Sequence, residues 1–462
     1  MAAVAFETRL GDLEAAFGGQ LVRPGDSDYD GHRAIWNGSI DRRPELIARC
    51  AGTHDVLAAL RFAREAGLRI AVRSGGHSFP GLSVADAAMV IDLGSMKGIR
   101  VDPQRRIATV QAGARLGDVD RETQAFGLAV PAGIVTTTGV AGLTLGGGIG
   151  WLMRKRGLTI DNLRSVDLVT ADGHFLRASE SENVDLFWGV RGGGGNFGIV
   201  TAFEFDLHPV GPVVLAGPIF WPMEDSPDVL RFYRDWIAEA PDDLMTIVLH
   251  RYAPALPFVP EELHGKPVVA IVCCWSGPID EGEEVIRPLK EFGSPVLDLC
   301  VPKPFRAHQA MFDAAFPPGW WYYVRSCDVP GLTDDVIETT LEFASRLPSK
   351  LTGFPIWQMG GAVSRVPEGA TAFNGRSAGF TFNITAVTEG QDGFDEAAEW
   401  ARGFWSALAP HHMSVYVNFL MEEGEDRVRE AYGPAKYDRL KALKRRYDPE
   451  NVFRLNQNIR PD

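Results

Sequence analysis

The chain has 462 residues, 45% of them hydrophobic, more than one ordinary core accommodates, which points to two closely packed domains of roughly 200 residues each. A formal charge of -14 and a pI near 5.3 leave no basic footprint for nucleic acid or an anionic membrane surface, so a small, weakly charged partner is expected. Cys50, Cys273, Cys274, Cys300 and Cys327 are odd in number, widely spread and without a C-x-x-C pair; this argues against a metal site and for reduced, buried thiols. No apolar run of signal-peptide length occupies Met1 to Gln20, and none approaches the ~20 residues of a membrane span, so the expected location is cytoplasmic.

Thr53 to Ile70 reads as a helix delivering the chain to a strand, with Thr53 as N-cap, Val56, Leu60 and Ala63 on one face, and Gly67 as the stop. The strand Leu68 to Arg73 then runs into the sharp turn Ser74-Gly75-Gly76-His77-Ser78, a strand end where ligands tend to sit. Met89 to Leu93 is a short buried strand, and Ile99 to Ala112 a hairpin around Asp102-Pro103. A second hairpin turns at Asp172-Gly173. Phe203, Phe205 and Leu207 alternate with Glu204 and Asp206, which predicts a strand with one wet face.

Beyond Pro209 longer helices, Asp334 to Arg346 and Phe394 to Leu408, interleave with strands such as Val268 to Cys274 and Gly379 to Ala386, the texture of an antiparallel sheet with helices on one face. Near the end, Asp448 as cap and Pro449 at the first helical position predict a short helix followed by a polar amide cluster.

Three glycine-rich segments stand out: Arg73 to Ser78, Gly139 to Gly150, and Arg191 to Gly198. Such density lets backbone N–H groups approach an anion without side-chain obstruction, as a pyrophosphate requires. None is a G-x-G-x-x-G opening the helix of a βαβ unit with an acidic residue about 20 positions on, which disfavours a nicotinamide-type Rossmann domain.

The order and wording of four motifs, RSGGHS, AGxxTTTGVAGLTLGGGIG followed by RKRGLTIDNL, DLFWGVRGGGGNFGIVTAFEF and YDPENVFRLNQNI, resemble the berberine-bridge-enzyme-like branch of the FAD-linked oxidases, from Tyr29 to Ile459. The resemblance implies an α+β, two-domain fold of the p-cresol-methylhydroxylase/vanillyl-alcohol-oxidase type. Its FAD-binding domain would be split between residues 1–208 and 411–462, with an antiparallel-sheet substrate domain, covered by helices, at 209–410. It also assigns His77 as the covalent attachment point of FAD, through the flavin 8α-methyl group. Arg73, Ser74, Gly75, Gly76 and Ser78 would then cradle the pyrophosphate. By the same resemblance Gly133, Thr137, Thr138, Gly139, Gly142, Gly147, Gly148, Gly150, Trp151, Asn162, Gly198, Val200, Tyr416, Asn418, Asn456 and Asn458 would surround the cofactor.

Doubly attached relatives carry a cysteine in a G-x-C-P-x-V-G-V-G-G pattern, and aligning Gly133, Gly139 and Gly142 with it places Val135 there, so a single link is expected. The segment Asp28 to Cys50 and the tail resemble the singly histidine-linked bacterial members, those of the 6-hydroxy-nicotine-oxidase and enterocin-pathway types. Thr138 and Leu143 would then face the flavin edge where oxygen docks, or else pack beneath the ring. Pro355 and Leu249 depart from the enterocin-pathway type, which has glutamate and tyrosine there.

A general base is expected, because hydride leaves carbon more easily as the attached hydroxyl loses its proton. Candidates are Tyr416, on a strand that also carries Asn418, together with Gln358, Tyr323 and His250, while Thr138 would act from the flavin edge. The run Trp320 to Tyr323 either lines a substrate cleft or packs at the domain junction, and Arg376 either orients an anion or forms a surface ion pair. Loops near residues 250–260 and 316–326 would shape the pocket. The function this implies is oxidation of a small-molecule alcohol or amine, by hydride transfer to flavin N5 with molecular oxygen as acceptor. An oxygenase working through a flavin N5-oxide is the alternative, and a flavin-bearing binder without turnover the third reading.

Overall fold

The computed structural model describes residues 2–255 and 259–462. Helix Thr53–Glu65 buries Val56, Ala59, Leu60 and Ala63, the i, i+3, i+4, i+7 stripe of an amphipathic helix. Its cap differs from expectation: Gly52 holds the cap position, and the Asp55 carboxylate accepts the N–H groups of Ala51 (2.8 Å) and Gly18 (2.9 Å). A longer reach than Thr53 offers is needed to tie the preceding segment down as well. Gly67 at φ +68 turns the chain into strand Arg69–Arg73.

That strand edges a four-stranded sheet ordered Gln20–Val22, Leu46–Arg49, Ala88–Asp92, Arg69–Arg73. Ala88–Asp92 is buried along its length because parallel neighbours flank it on both sides. The two predicted hairpins, Ile99–Asp102 with Ile107–Gln111 and Leu163–Val169 with Phe175–Ser179, are joined by Ile199–Asp206 into a five-stranded antiparallel sheet. On that central strand Phe203 and Phe205 are buried, while Glu204 and Asp206 pair with Arg164 on the wet face.

Residues 213–388 supply an eight-stranded sheet running Leu297–Asp298, Val213–Pro222, Pro267–Trp275, Leu244–Tyr252, Gly353–Gln358, Phe380–Thr388, Trp321–Val329, with Val301–Pro304 also paired to Val213–Pro222. Helices Ser226–Ile237, Ile279–Glu291, Asp334–Ala344 and Phe394–Ala407 cover one face. Strand periodicity sorts the side chains: Val269, Ile271, Cys273 and Trp275 pack under the helices, and Val268, Ala270, Val272 and Cys274 face the first sheets. Arg154 fastens the two halves, donating to the carbonyls of Leu244 (2.9 Å), Met359 (2.6 Å) and Ala240 (3.1 Å).

The tail returns to the first core, where Leu440, Leu443, Phe453 and Ile459 are buried beside Phe197 and Phe187. Asp448 does not start a helix. It closes helix Pro434–Tyr447, and its carboxylate, which accepts the N–H groups of Val452 (2.7 Å) and Phe453 (2.9 Å), makes a turn of the next residues instead. Lys444, fully buried, spans Asp448 (2.7 Å) and the carbonyls of Asn196 (2.9 Å) and Phe453 (2.8 Å), joining the tail to the third glycine segment. The strand expected at Tyr416 is likewise absent: Ser414 bridges to Asp328, and Val417–Phe419 forms one tight helical turn. Among the described residues no helix is long and apolar enough to cross a membrane, and no cluster of His, Cys, Asp and Glu could hold a metal.

Candidate functional site

Between the sheets lies a cavity of about 360 Å³, many times the ~10–15 Å³ that holds one water on the same measure. One end is walled by Ile70, Val72, Gly194, Gly195, Tyr432, Phe453, Leu455, Asn456 and Gln457, the other by Trp36, Phe316, Pro355, Trp357, Asn383, Thr385 and Phe419. Ser74, Gly75, Gly76, His77 and Ser78 border it, facing Gly133, Thr138, Gly139, Gly142 and Leu143.

Two glycines hold these loops together. A Cβ on Gly75 or Gly139 would sit 2.2 Å from the other's backbone nitrogen, so the His77 turn and the second glycine segment lock backbone to backbone. His77 follows directly, with Nε2 2.9 Å from Thr137 Oγ1 and no protein hydrogen bond to Nδ1 among the described residues. Trp36 stacks on the imidazole (centroids 4.9 Å, 19°) and on Tyr322 (3.8 Å, 18°). Desolvation, with the Arg115 charge adding to it, lowers the His77 pKa to about 3, so the ring is neutral at physiological pH.

FAD fits this lining. Ser83 Oγ, Tyr432 Oη and Asn456 Oδ1 belong to cavity-lining residues and are buried without a protein partner, polar groups that need a ligand. Gly142 and Gly195 line the cavity, and a Cβ on either meets no protein atom within 4 Å. Because Gly142 lies within the short helix Val140–Leu145, Gly142→Leu is expected to leave apoprotein stability equal or roughly 0.5 kcal/mol higher, while bound flavin falls below about a tenth. Full flavin content in that variant would remove the second glycine segment from the site.

Of the residues expected around the cofactor, Ser74, Gly75, Gly76, His77, Ser78, Gly133, Thr138, Gly139, Gly142, Gly198, Val200, Tyr416, Asn418 and Asn456 reach the wall. Others do not. Arg73 is buried behind the turn against Asp92 (2.8 Å), and Thr137 acts only through His77. Gly147, Gly148 and Gly150 are there for close packing: added Cβ atoms would strike Phe373, Thr159 and the Ala132 carbonyl. Trp151 packs on His308 and Phe312, Asn162 binds the Leu158 carbonyl and His208, and Asn458 stops short of the wall.

The catalytic candidates separate by sheet face. Tyr416 lines the cavity, its oxygen accepting from Gly148 N–H (3.0 Å) and Asn418 Nδ2 (2.8 Å). Burial, opposed by these donors, raises its phenol to about 12. Gln358, Tyr323 and His250 point to the helix-covered side: Gln358 accepts from Thr246 (2.9 Å), Tyr323 packs by Arg325 and Arg402, and His250 meets Ser226 (2.8 Å) under Phe354. Arg376 is neither exposed nor free, being buried in a bidentate pair with Asp161 (2.7 and 3.0 Å). Leu249 is buried off the wall, and no described residue of 250–260 lines it either; residues 256–258 lie outside the described set.

Sequence reasoning passed over Trp36, Asn383 and Thr385. A signal for the last two was present: in Phe380–Thr388 the core residues Phe382, Ile384 and Ala386 leave Asn383 and Thr385 on the opposite face.

A glycine-bordered cavity suits a flavin dinucleotide, and comparison with known proteins makes the chain an FAD-linked oxidoreductase. Residues 44–179 match a family model described as an FAD binding domain, and residues 415–460 one described as berberine and berberine like. An uncharacterized FAD-linked oxidoreductase of Bacillus subtilis is 34% identical, covering 96% of this chain and 97% of its own. (R)-6-hydroxynicotine oxidase of Paenarthrobacter nicotinovorans is 32% identical over 96% and 97% of the two chains. The crystal structure of a 6-hydroxy-D-nicotine oxidase from Arthrobacter nicotinovorans superposes with a TM-score of 0.87 at 31% identity, covering 96% of this chain and 98% of that one. The chain belongs to the berberine-bridge-enzyme-like family of FAD-linked oxidases and has its two-domain FAD-binding fold.

Proposed function

We propose that the cavity holds FAD attached once, through His77, and that the enzyme oxidises a small-molecule alcohol or amine with molecular oxygen as the final acceptor. The observation that carries this reading is the neutral imidazole on the cavity wall, with Nε2 occupied by Thr137 and Nδ1 left for the bond. A single link is supported by Val135 on the wall and by five cysteines that are all buried and absent from it. Unpaired thiols also suit a reducing, cytoplasmic setting. The 209–410 segment would hold the substrate, and 1–208 with 411–462 the cofactor.

Bound there, FAD supplies a two-electron oxidant that oxygen regenerates. The chain's residues orient and exclude: Asn418 bonds the Leu143 carbonyl (3.1 Å) and Tyr416, fixing the phenol between them. With its pKa raised, Tyr416 is protonated at rest and donates to a substrate heteroatom. Because no carboxylate then lines the wall as a resting base, an amine entering as its neutral free base, whose lone pair helps hydride leave, is favoured over an alcohol.

The test is anaerobic mixing with a panel of amines and alcohols: bleaching of the flavin and peroxide on re-aeration are expected. Bleaching with oxygen recovered in the product would favour the oxygenase instead, and no bleaching with any compound a binder. A pH effect follows from His77. A free imidazole of pKa 6.5 is about tenfold less available at pH 5.5 than at 7.5, but one lowered to about 3 is neutral at both, so covalent loading of the apoprotein should change less than twofold. A tenfold fall at pH 5.5 would contradict the assignment.

A further inference from the structure

We propose that the substrate is an uncharged, flat, unsaturated molecule bearing a hydrogen-bond acceptor, held against Asn383. The inference rests on the cofactor reading above and concerns the end of the cavity furnished by residues 316–385. Among the described residues, no Asp, Glu, Lys or Arg lines any part of the wall. A carboxylate or phosphate buried at this end, away from the glycine turns whose backbone N–H groups can receive a pyrophosphate, would lack a cation, and an ammonium would lack an anion, each costing more than such a pocket returns.

What the wall offers instead is rings and donors. Phe79, Phe316, Trp357 and Phe419 contribute aromatic surface to the wall, against which planar π systems pack, while Trp36 is already stacked on His77 and Tyr322. Asn383 is fixed by its neighbour on the same strand face: the Thr385 hydroxyl donates to its Oδ1, leaving Nδ2 as a donor with no protein partner among the described residues. Trp357 adds an indole N–H that is also unpartnered. A saccharide would bring a hydroxyl donor on nearly every ring carbon, and this end of the cavity has no carboxylate and few side-chain acceptors to receive them. A carbonyl oxygen, aryl ether or neutral ring nitrogen satisfies Asn383 while its ring is stacked.

The experiment titrates the oxidised holoenzyme with acetophenone, benzoate, benzyltrimethylammonium and xylobiose. Binding is read from the flavin difference spectrum and, independently, from quenching of tryptophan fluorescence, since Trp36 and Trp357 are in the wall. Acetophenone is expected to bind at least about tenfold more tightly than the other three. Asn383→Asp, nearly isosteric, should weaken acetophenone about tenfold and strengthen benzyltrimethylammonium. Should that variant fail to fold, Thr385→Val, which frees the amide to rotate, should weaken acetophenone severalfold with flavin content unchanged. Equal or tighter binding of benzoate or xylobiose, or acetophenone affinity unchanged in a folded variant, overturns the proposal. A colourless wild-type protein would defeat the cofactor reading before any titration; a yellow one with no preference for the ketone defeats this inference alone.

Discussion

Replacing His77 by alanine is expected to give a protein whose mass is that of the bare chain and whose yellow colour washes out on acid precipitation. Non-covalent flavin should persist in part, because the Gly75–Gly139 backbone contact and the tail that wall the cavity do not depend on the imidazole. Activity should fall by at least about tenfold, equivalent to 1.4 kcal/mol of barrier, since under the proposed linkage an alkylated imidazole would make the flavin a stronger oxidant, and Trp36 loses a ring on which it stacks. Thr137→Val tests the same geometry more gently: it frees Nε2, and slower covalent loading with unchanged final stoichiometry is expected. Acid-stable colour in His77→Ala would remove the foundation of the functional reading.

The second large effect concerns stability. Lys444 and Asp448 are completely buried, and burial pulls the Lys444 pKa down, so the ion pair is held by its geometry: three acceptors for the ammonium, two backbone donors for the carboxylate. Lys444→Met strands a buried charge and is expected to cost about 3–5 kcal/mol in denaturant unfolding, with loss of flavin because Gly195 and Asn456 hang on the two segments it joins. Lys444→Met/Asp448→Asn should recover part of that loss by neutralising the leftover carboxylate. A cost below 1 kcal/mol for the single variant would mean the pair is not what holds the tail.

Much of the molecule was legible where local chemistry decides the outcome. Asp102-Pro103 and Asp172-Gly173 are turns because their backbones can do little else, and the hairpins around them followed. The His77 turn was legible for the same reason: glycines beside a strand end allow the backbone approach that is found between Gly75 and Gly139.

What was misjudged depends on register and on distant partners. Gln358 and Tyr323 are general-base candidates by local context alone, but one residue's shift along a strand reverses the face, and the pairing of Ile356 with Phe382 turns Gln358 toward the helices. Gly147, Gly148 and Gly150 looked like cofactor glycines because a run of glycines does not say whether a ligand or a side chain such as Thr159 comes close. Trp36 carried no periodic signal, since its place beside His77 is set by residues 316–322, almost 300 positions away. The helix expected at Asp448 lost to a carboxylate with better-placed N–H groups nearby.

The two-sided strand Phe380–Thr388 has one more bearing on how this enzyme can change. Its even-numbered side chains belong to the packing that keeps the molecule folded and its odd-numbered ones, Asn383 and Thr385, to the chamber where a guest is recognised. Mutation at alternate positions therefore explores new chemistry at little risk to folding, so descendants of such a chain are free to diversify in diet while keeping one skeleton.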